Sequence, residues 1–359
     1  MNLCGKEAAL QPSFKAAFDP VVGTINFFGS QKRLEVLAKK QKEAGAKALR
    51  FIAVSDTRWN YTTDVIRRAS KNKDAVESVG AAELDLRGEA ASEWAQLREN
   101  FANGIRALEP LLPLLEHFSD SMQTLSKAAD VTVSRTIRCE WNLWEHAGKF
   151  ANSNSIAARD FAKILRDQID ARFFYEPTPW LIRAAEVLDP VVVFDSRLGH
   201  VESEPGANDG DLRQMRDDIA NEIFPAGHDQ TQSVDFFGDP IGTTSNNILF
   251  RSEFGQYLAA ARTNPPKDAL EWWRANADKW PRVAFAARSL LSATATSSET
   301  ERLFSSGAYV VNKWRNRLTG KRAGALIFLS KALRLSATTQ ESEDEMVEFA
   351  GAELDNDFE

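Results

Sequence analysis

The sequence predicts a mainly α-helical chain, and three observations predict it. Apolar residues return every three or four positions along most of residues 20–185. Strand-like alternation is nearly absent, confined to residues 49–54 and 191–194, neither with a clear partner. A stretch rich in Gly, Pro, Asp, Asn and Ser at 200–247 then separates this half from a second run of helical segments.

Taken in order, residues 27–46 place Phe28, Leu34, Leu37 and Ala38 at helical spacing, and Gly45 can end the helix. Residues 56–79 follow, capped by Asp56 or Thr57, with Trp59, Val65, Ile66 and Ala69 able to share a face. Residues 89–105 carry Trp94, Leu97 and Phe101 at i, i+3 and i+7. Pro110 and Pro113 open a segment whose Leu114, Leu115, Phe118, Met122 and Leu125 keep the helical period. Residues 131–150 and 156–174 complete this half as a bundle or array. Within the turn-rich connector a short helix is expected at 211–223. The second compact unit, 252–335, holds helical segments at 254–261, 269–277, 283–291, 299–306 and 322–335.

At 359 residues and 43% hydrophobic content the chain is long enough for two buried cores. It shows no signal peptide and no run of about 20 apolar residues, so it is read as soluble and without a membrane partner. Cys4 and Cys139 lie far apart, and His117, His146, His200 and His228 have no ligand spacing. No metal site is expected from Cys or His. The net charge of -7 hides an uneven distribution, because residues 341–359 hold nine acids and no Lys or Arg. That tail is expected to be disordered. Without it, 44 basic residues face 42 acidic ones, and the positive charge gathers between 301 and 335 around Lys313, Arg315, Arg317, Lys321 and Arg322. Such clustering, rather than net charge, is what a polyanion meets.

Three constellations carry candidate chemistry. Ser298 and Glu301 fit a capping box, in which the Ser accepts from helix amides and the Glu reaches back. The rival role for Glu301 is a metal-binding carboxylate, which needs partner acids because two-metal phosphoryl transfer takes several. Trp272, Trp273 and Trp280, with Leu303, Phe304, Ile327 and Phe328, give the 252–335 unit more apolar surface than its length readily hides. An obligate interface is one explanation and a self-contained small core the other. Arg58 beside Trp59 can contact a phosphate and stack on a base, or can simply start a helix whose Trp lies in the core.

Three segments in order resemble the hAT superfamily of DNA transposases. Thr57-Arg58-Trp59-Asn60 is similar to that family's TRWNS motif, and Ala184-Ala185-Glu186-Val187-Leu188-Asp189-Pro190 to its AA-LDP segment. Trp272-Trp273 through Ser305-Ser306 to Arg315-Asn316-Arg317-Leu318 is similar to its dimerisation signature, and Asn2-Leu3 echoes its NL element. The resemblance implies an RNase H-like core split by a helical insertion. It makes Glu301 the last acid of a DDE triad, whose two aspartates and BED-type zinc finger it places upstream of Met1. It makes Trp59 the tryptophan that supports transposon-end DNA.

The implied organisation is a residual segment of RNase H-like core at 1–20 and a helical insertion domain at 21–199. A connector at 200–251, the dimerisation domain at 252–335 and the acidic tail at 336–359 follow. The fold class is therefore mainly α, a helical insertion domain plus a C-terminal remnant of an RNase H-like fold. The function expected is a transposase-derived, catalytically incomplete protein that forms homodimers or higher oligomers through Trp272, Trp273, Leu303, Phe304, Ile327 and Phe328. DNA is a further partner, through Arg58, Trp59 and the five basic residues named above. No cofactor is expected, Mg2+ belonging only to an intact DDE site, and the resemblance implies a nuclear location. Two alternatives stand beside this: a fragment of an active DDE transposase, and a domesticated DNA-binding regulator.

Overall fold

A computed structural model describes residues 1–52, 60–127, 130–174, 179–193, 209–225, 233–234, 240–241, 246–263, 266–311, 318–330 and 333. The chain divides into two units, Met1–Ala295 and Thr296–Glu359. Helices dominate the described residues of both. Among the described residues the β-structure is one two-residue antiparallel ladder, Ser233–Val234 (β1) against Pro240–Ile241 (β2). None of the helices is long and apolar enough to cross a membrane among the residues described.

The first nine helices of the first unit share one core. They are α1 (Asn2–Ala9), α2 (Pro12–Phe27), α3 (Gln31–Glu43), α4 (Asn60–Lys71), α5 (Lys73–Ser78), α6 (Glu89–Leu108), α7 (Leu112–Leu125), α8 (Thr136–Gly148) and α9 (Ile156–Ile169). Residues 1–20, expected as a separate remnant, instead supply Cys4, Ala8, Phe14 and Ala17 to this core, with α2 along α6 and α1 along α9. The expected helix at 27–46 begins later, because Phe27 ends α2 and the Gly29-Ser30 break precedes α3. Trp94 on α6 is buried as predicted; it stacks on Phe27 at 4.6 Å and its indole N–H donates to the Val79 carbonyl at 3.1 Å.

Gly104 explains how closely α2 and α6 approach. A Cβ there would fall on the Ala17 carbonyl oxygen and touch Val21 Cγ2 at 3.5 Å. In an open helix, Gly→Ala stabilises by about 1 kcal/mol. Overpacking against a fixed backbone reverses the sign, and Gly104→Ala is expected to cost about 1–3 kcal/mol. Urea unfolding checks this, and a stabilised variant would show that the two helices are not in contact at Ala17.

A second core gathers α10 (Trp180–Leu188), α11 (Asp209–Ile223), α12 (Asn246–Thr263), α13 (Ala269–Asn276) and α14 (Pro281–Leu291). Val131 and Val133, between α7 and α8, also pack into it. The boundary drawn from sequence at 251/252 therefore falls inside α12, and the expected connector contributes α11, whose Leu212, Met215, Ile219 and Ala220 are buried. The helix at 211–223 was expected; what the turn-rich composition around it hid is that its apolar side packs into this core. Residues 191–193, which look extended in sequence, form a turn in which the amides of Val192 and Val193 donate to the Asp189 carbonyl at 3.0 and 2.9 Å.

In the second unit, α15 (Ser298–Val310) and α16 (320–330) meet where Gly307 admits Ile327, whose Cδ1 lies 3.1 Å from where a Cβ would stand.

Candidate self-association surface

The aromatic residues predicted for an interface divide into two groups. In the first unit Trp273 is only 8% exposed, stacked on Tyr257 at 5.1 Å, with its indole N–H donating to the Leu188 carbonyl at 3.1 Å. Tyr257 is buried and its hydroxyl donates to the Val187 carbonyl at 3.0 Å. Trp272 is half-buried and stacks on Trp280 at 5.6 Å. These four rings seal the C-terminal end of α10. Trp273 thus faces its own chain's core, and the apolar excess of the Trp-rich segment is taken up by α10 and α11 as well as by its own helices.

The second unit is different. Among its described residues Ala323 is the one apolar side chain that is buried. Phe304 on α15 is 74% exposed and Phe328 on α16 is 71% exposed. Val311, Leu326, Leu329 and Leu333 are exposed as well, while Leu303 and Ile327 are half-buried. Two short helices that leave so many large apolar side chains in water have not completed a core by themselves.

Glu301 is exposed near the start of α15, and its carboxylate accepts from the Ser297 hydroxyl at 3.2 Å. The expected capping box shifts by one residue: Ser297 is the N-cap, and the Glu301 side chain reaches its hydroxyl rather than a backbone amide. The Ser298 amide donates instead to Thr296 Oγ1 at 3.3 Å, a turn that starts the helix earlier. No three His, Cys, Asp or Glu side chains converge as metal ligands among the described residues. Lys321 and Arg322 are exposed in the first turn of α16, where the Arg322 amide donates to Thr319 Oγ1 at 3.4 Å. Arg58, Trp59, Lys313, Arg315 and Arg317, together with the acidic tail, lie outside the described residues.

Sequence reasoning missed a buried group of acids around the AA-LDP segment. Asp189 is fully buried and accepts from Ser134 Oγ at 2.6 Å and the Val191 amide at 2.9 Å. Glu186, one turn earlier, is 4% exposed and its Oε2 has no hydrogen-bond partner. Burial pushes its carboxyl up to about 8, with Arg138 and Arg183 opposing that rise and Asp189 and Glu140 adding to it. Burial likewise lifts Glu140 on α8 to about 7. The signal in the sequence was a Glu enclosed by Ala184, Ala185, Val187 and Leu188, which puts a carboxylate among apolar neighbours.

Residues 253–333 match the hAT family C-terminal dimerisation region. The hAT region therefore takes in most of α12, all of α13 to α16, the Trp272 and Trp273 pair and the exposed Phe304 and Phe328. The chain is also similar to the zinc finger BED domain-containing protein DAYSLEEPER of Arabidopsis thaliana, at 22% identity over 291 residues. That alignment covers 76% of this chain and 39% of the relative, so the chain spans about two fifths of the relative's length. Similarity to a BED-finger protein and to the hAT region agrees with the resemblance read from the motifs.

Proposed function

We propose that this is a hAT transposase-derived protein that self-associates through its C-terminal region. The observation that carries the proposal is the second unit, with Ala323 its one buried apolar side chain among the described residues and with Phe304 and Phe328 more than two-thirds exposed. A second copy is the occupant favoured by the match to a dimerisation region. On this reading the helices of 252–335 are what remains of an RNase H-like fold, and the protein works in the nucleus with DNA as a second partner. The exposed Lys321 and Arg322 support DNA contact, with Lys313, Arg315 and Arg317 as the rest of that basic run. Catalysis is not part of the proposal: Glu301 is held by Ser297, and two-metal phosphoryl transfer requires converging carboxylates.

Size-exclusion with light scattering at tens of micromolar tests the association. One defined mass, twice the 40.0 kDa of the chain or a higher multiple, is expected. The double variant Phe304→Asp, Phe328→Asp should run as monomer, because removing central aromatic anchors commonly costs about 2 kcal/mol or more each. A monodisperse wild-type monomer, or a broad concentration-dependent distribution, would sink the proposal.

A further inference from the structure

We propose that the groove between α8 and α9 binds a small aliphatic zwitterion of the free amino-acid class, with its carboxylate on Arg166 and its ammonium on Asp170. This site does not depend on self-association. The groove has a volume of about 310 Å³, at the lower end of the range for small-molecule sites. One wall is the end of α8 and the turn after it, where Ala147, Gly148 and Ala151 present almost no side chain. The other is the face of α9 that carries Ala162, Lys163, Arg166 and Asp167, with Asp170 at its end.

Arg166 is held by its face. Its Cζ lies 3.6 Å from the centroid of the Trp144 ring, which itself stacks on Trp141 at 5.0 Å and meets Phe174 edge-on at 6.1 Å. A Cβ at Gly148 would crowd Arg166 Nη1 at 3.1 Å, so the bare glycine leaves the guanidinium this place. Stacking on an aromatic ring uses the charge and leaves the five N–H donors at the edge. Among the described residues the half-buried Arg166 side chain has no hydrogen-bond or ion-pair partner. Asp170 is half-buried and equally without a side-chain partner among them, although Arg and Asp four residues apart on a helix ordinarily reach each other. It opens a π-helical turn, Asp170–Phe174, an irregularity frequent at functional sites.

Lys163 and Asp167 pair at 2.8 Å and neutralise each other. The groove therefore keeps one unmatched cation and one unmatched anion. A lone carboxylate would gain Arg166 and meet repulsion from Asp170, and a lone ammonium would find the reverse. A polyanion meets two carboxylates and no net positive charge. A molecule that carries both charges a few atoms apart is matched at each end. The planar fork of Arg166 suits a carboxylate, which it can pair bidentately. The small walls leave room for a branched aliphatic side chain.

The test is saturation-transfer NMR on the full chain with L-leucine, set against L-leucinamide, which lacks the carboxylate, and 4-methylpentanoate, which lacks the ammonium. Leucine is expected to saturate with a Kd on the order of 1 mM, in keeping with so small a ligand. Each analogue should bind about tenfold more weakly, the loss of one charged hydrogen-bonded pair, and Arg166→Gln should weaken leucine by a similar factor. Asp170→Asn should weaken leucine yet tighten 4-methylpentanoate, because the acid that holds the ammonium repels a lone carboxylate. Damage to the fold cannot produce that reversal. The proposal is overturned if leucine shows no saturable transfer well above that Kd, or if both analogues bind as leucine does. Failure of Asp170→Asn to move leucine and 4-methylpentanoate in opposite directions would overturn it as well.

Discussion

Glu186→Gln is expected to stabilise the first unit at pH 8 by on the order of 3 kcal/mol and to do little at pH 4. The carboxyl is buried, one oxygen is unpartnered, and its pKa stands at about 8 instead of the ordinary 4.5. Below about pH 4.5 the folded and unfolded chains both hold the proton, and the group contributes its full share of stability. As pH rises, the unfolded chain releases the proton first while the folded chain keeps it, so stability falls until the folded carboxyl ionises near pH 8. Each pKa unit corresponds to about 1.4 kcal/mol, and the amide recovers most but not all of the sum because it too is buried. Arg138 and Arg183 oppose the shift while Asp189 and Glu140 reinforce it, so Glu140→Gln should show the same trend over a narrower window ending near pH 7. The measurement is the difference in unfolding free energy between variant and wild type at pH 4 and pH 8. A difference that does not change with pH would exclude a neutral buried carboxyl.

Trp273→Ala is expected to cost about 3–5 kcal/mol, the range for emptying a buried aromatic site. It removes the stack on Tyr257 and leaves the Leu188 carbonyl without its indole donor. The loss should appear in unfolding at every protein concentration. Phe304→Asp with Phe328→Asp should behave the opposite way, changing the mass in solution while leaving the first unit's intrinsic unfolding unaltered. If Trp273→Ala instead yields a monomer of wild-type stability, the ring belongs to a contact between chains and not to the core described above.

Much of the helical framework was legible because apolar spacing reports one-sided burial: Trp94, Phe101, Leu115 and Phe118 stand where their period puts them. The helices of residues 2–27 were harder to see, since the sheet of the implied fold competes with their own apolar spacing. Trp272 and Trp273 were legible as large anchors, but a ring gives no sign of whether its partner is α10 or another chain. Phe304 and Phe328 were assigned to an interface through the resemblance alone, and what the structure adds is that both are exposed. Glu186 was hidden for a simpler reason: composition counts a carboxylate as solvated charge, and only packing shows that it is enclosed.

The seal at the end of α10 has a consequence for how this protein can be cut and recombined. Val187 and Leu188 lend their carbonyls to Tyr257 and Trp273, which lie in the segment that matches the dimerisation region. Residues 253–333 are therefore not a portable module. Expressed alone or grafted onto another protein, they would present an unsheathed tyrosine and tryptophan, each missing its acceptor. A chimaera meant to carry the matched region must start upstream of Trp180, and one joined inside 189–252 should be insoluble even where both parents fold.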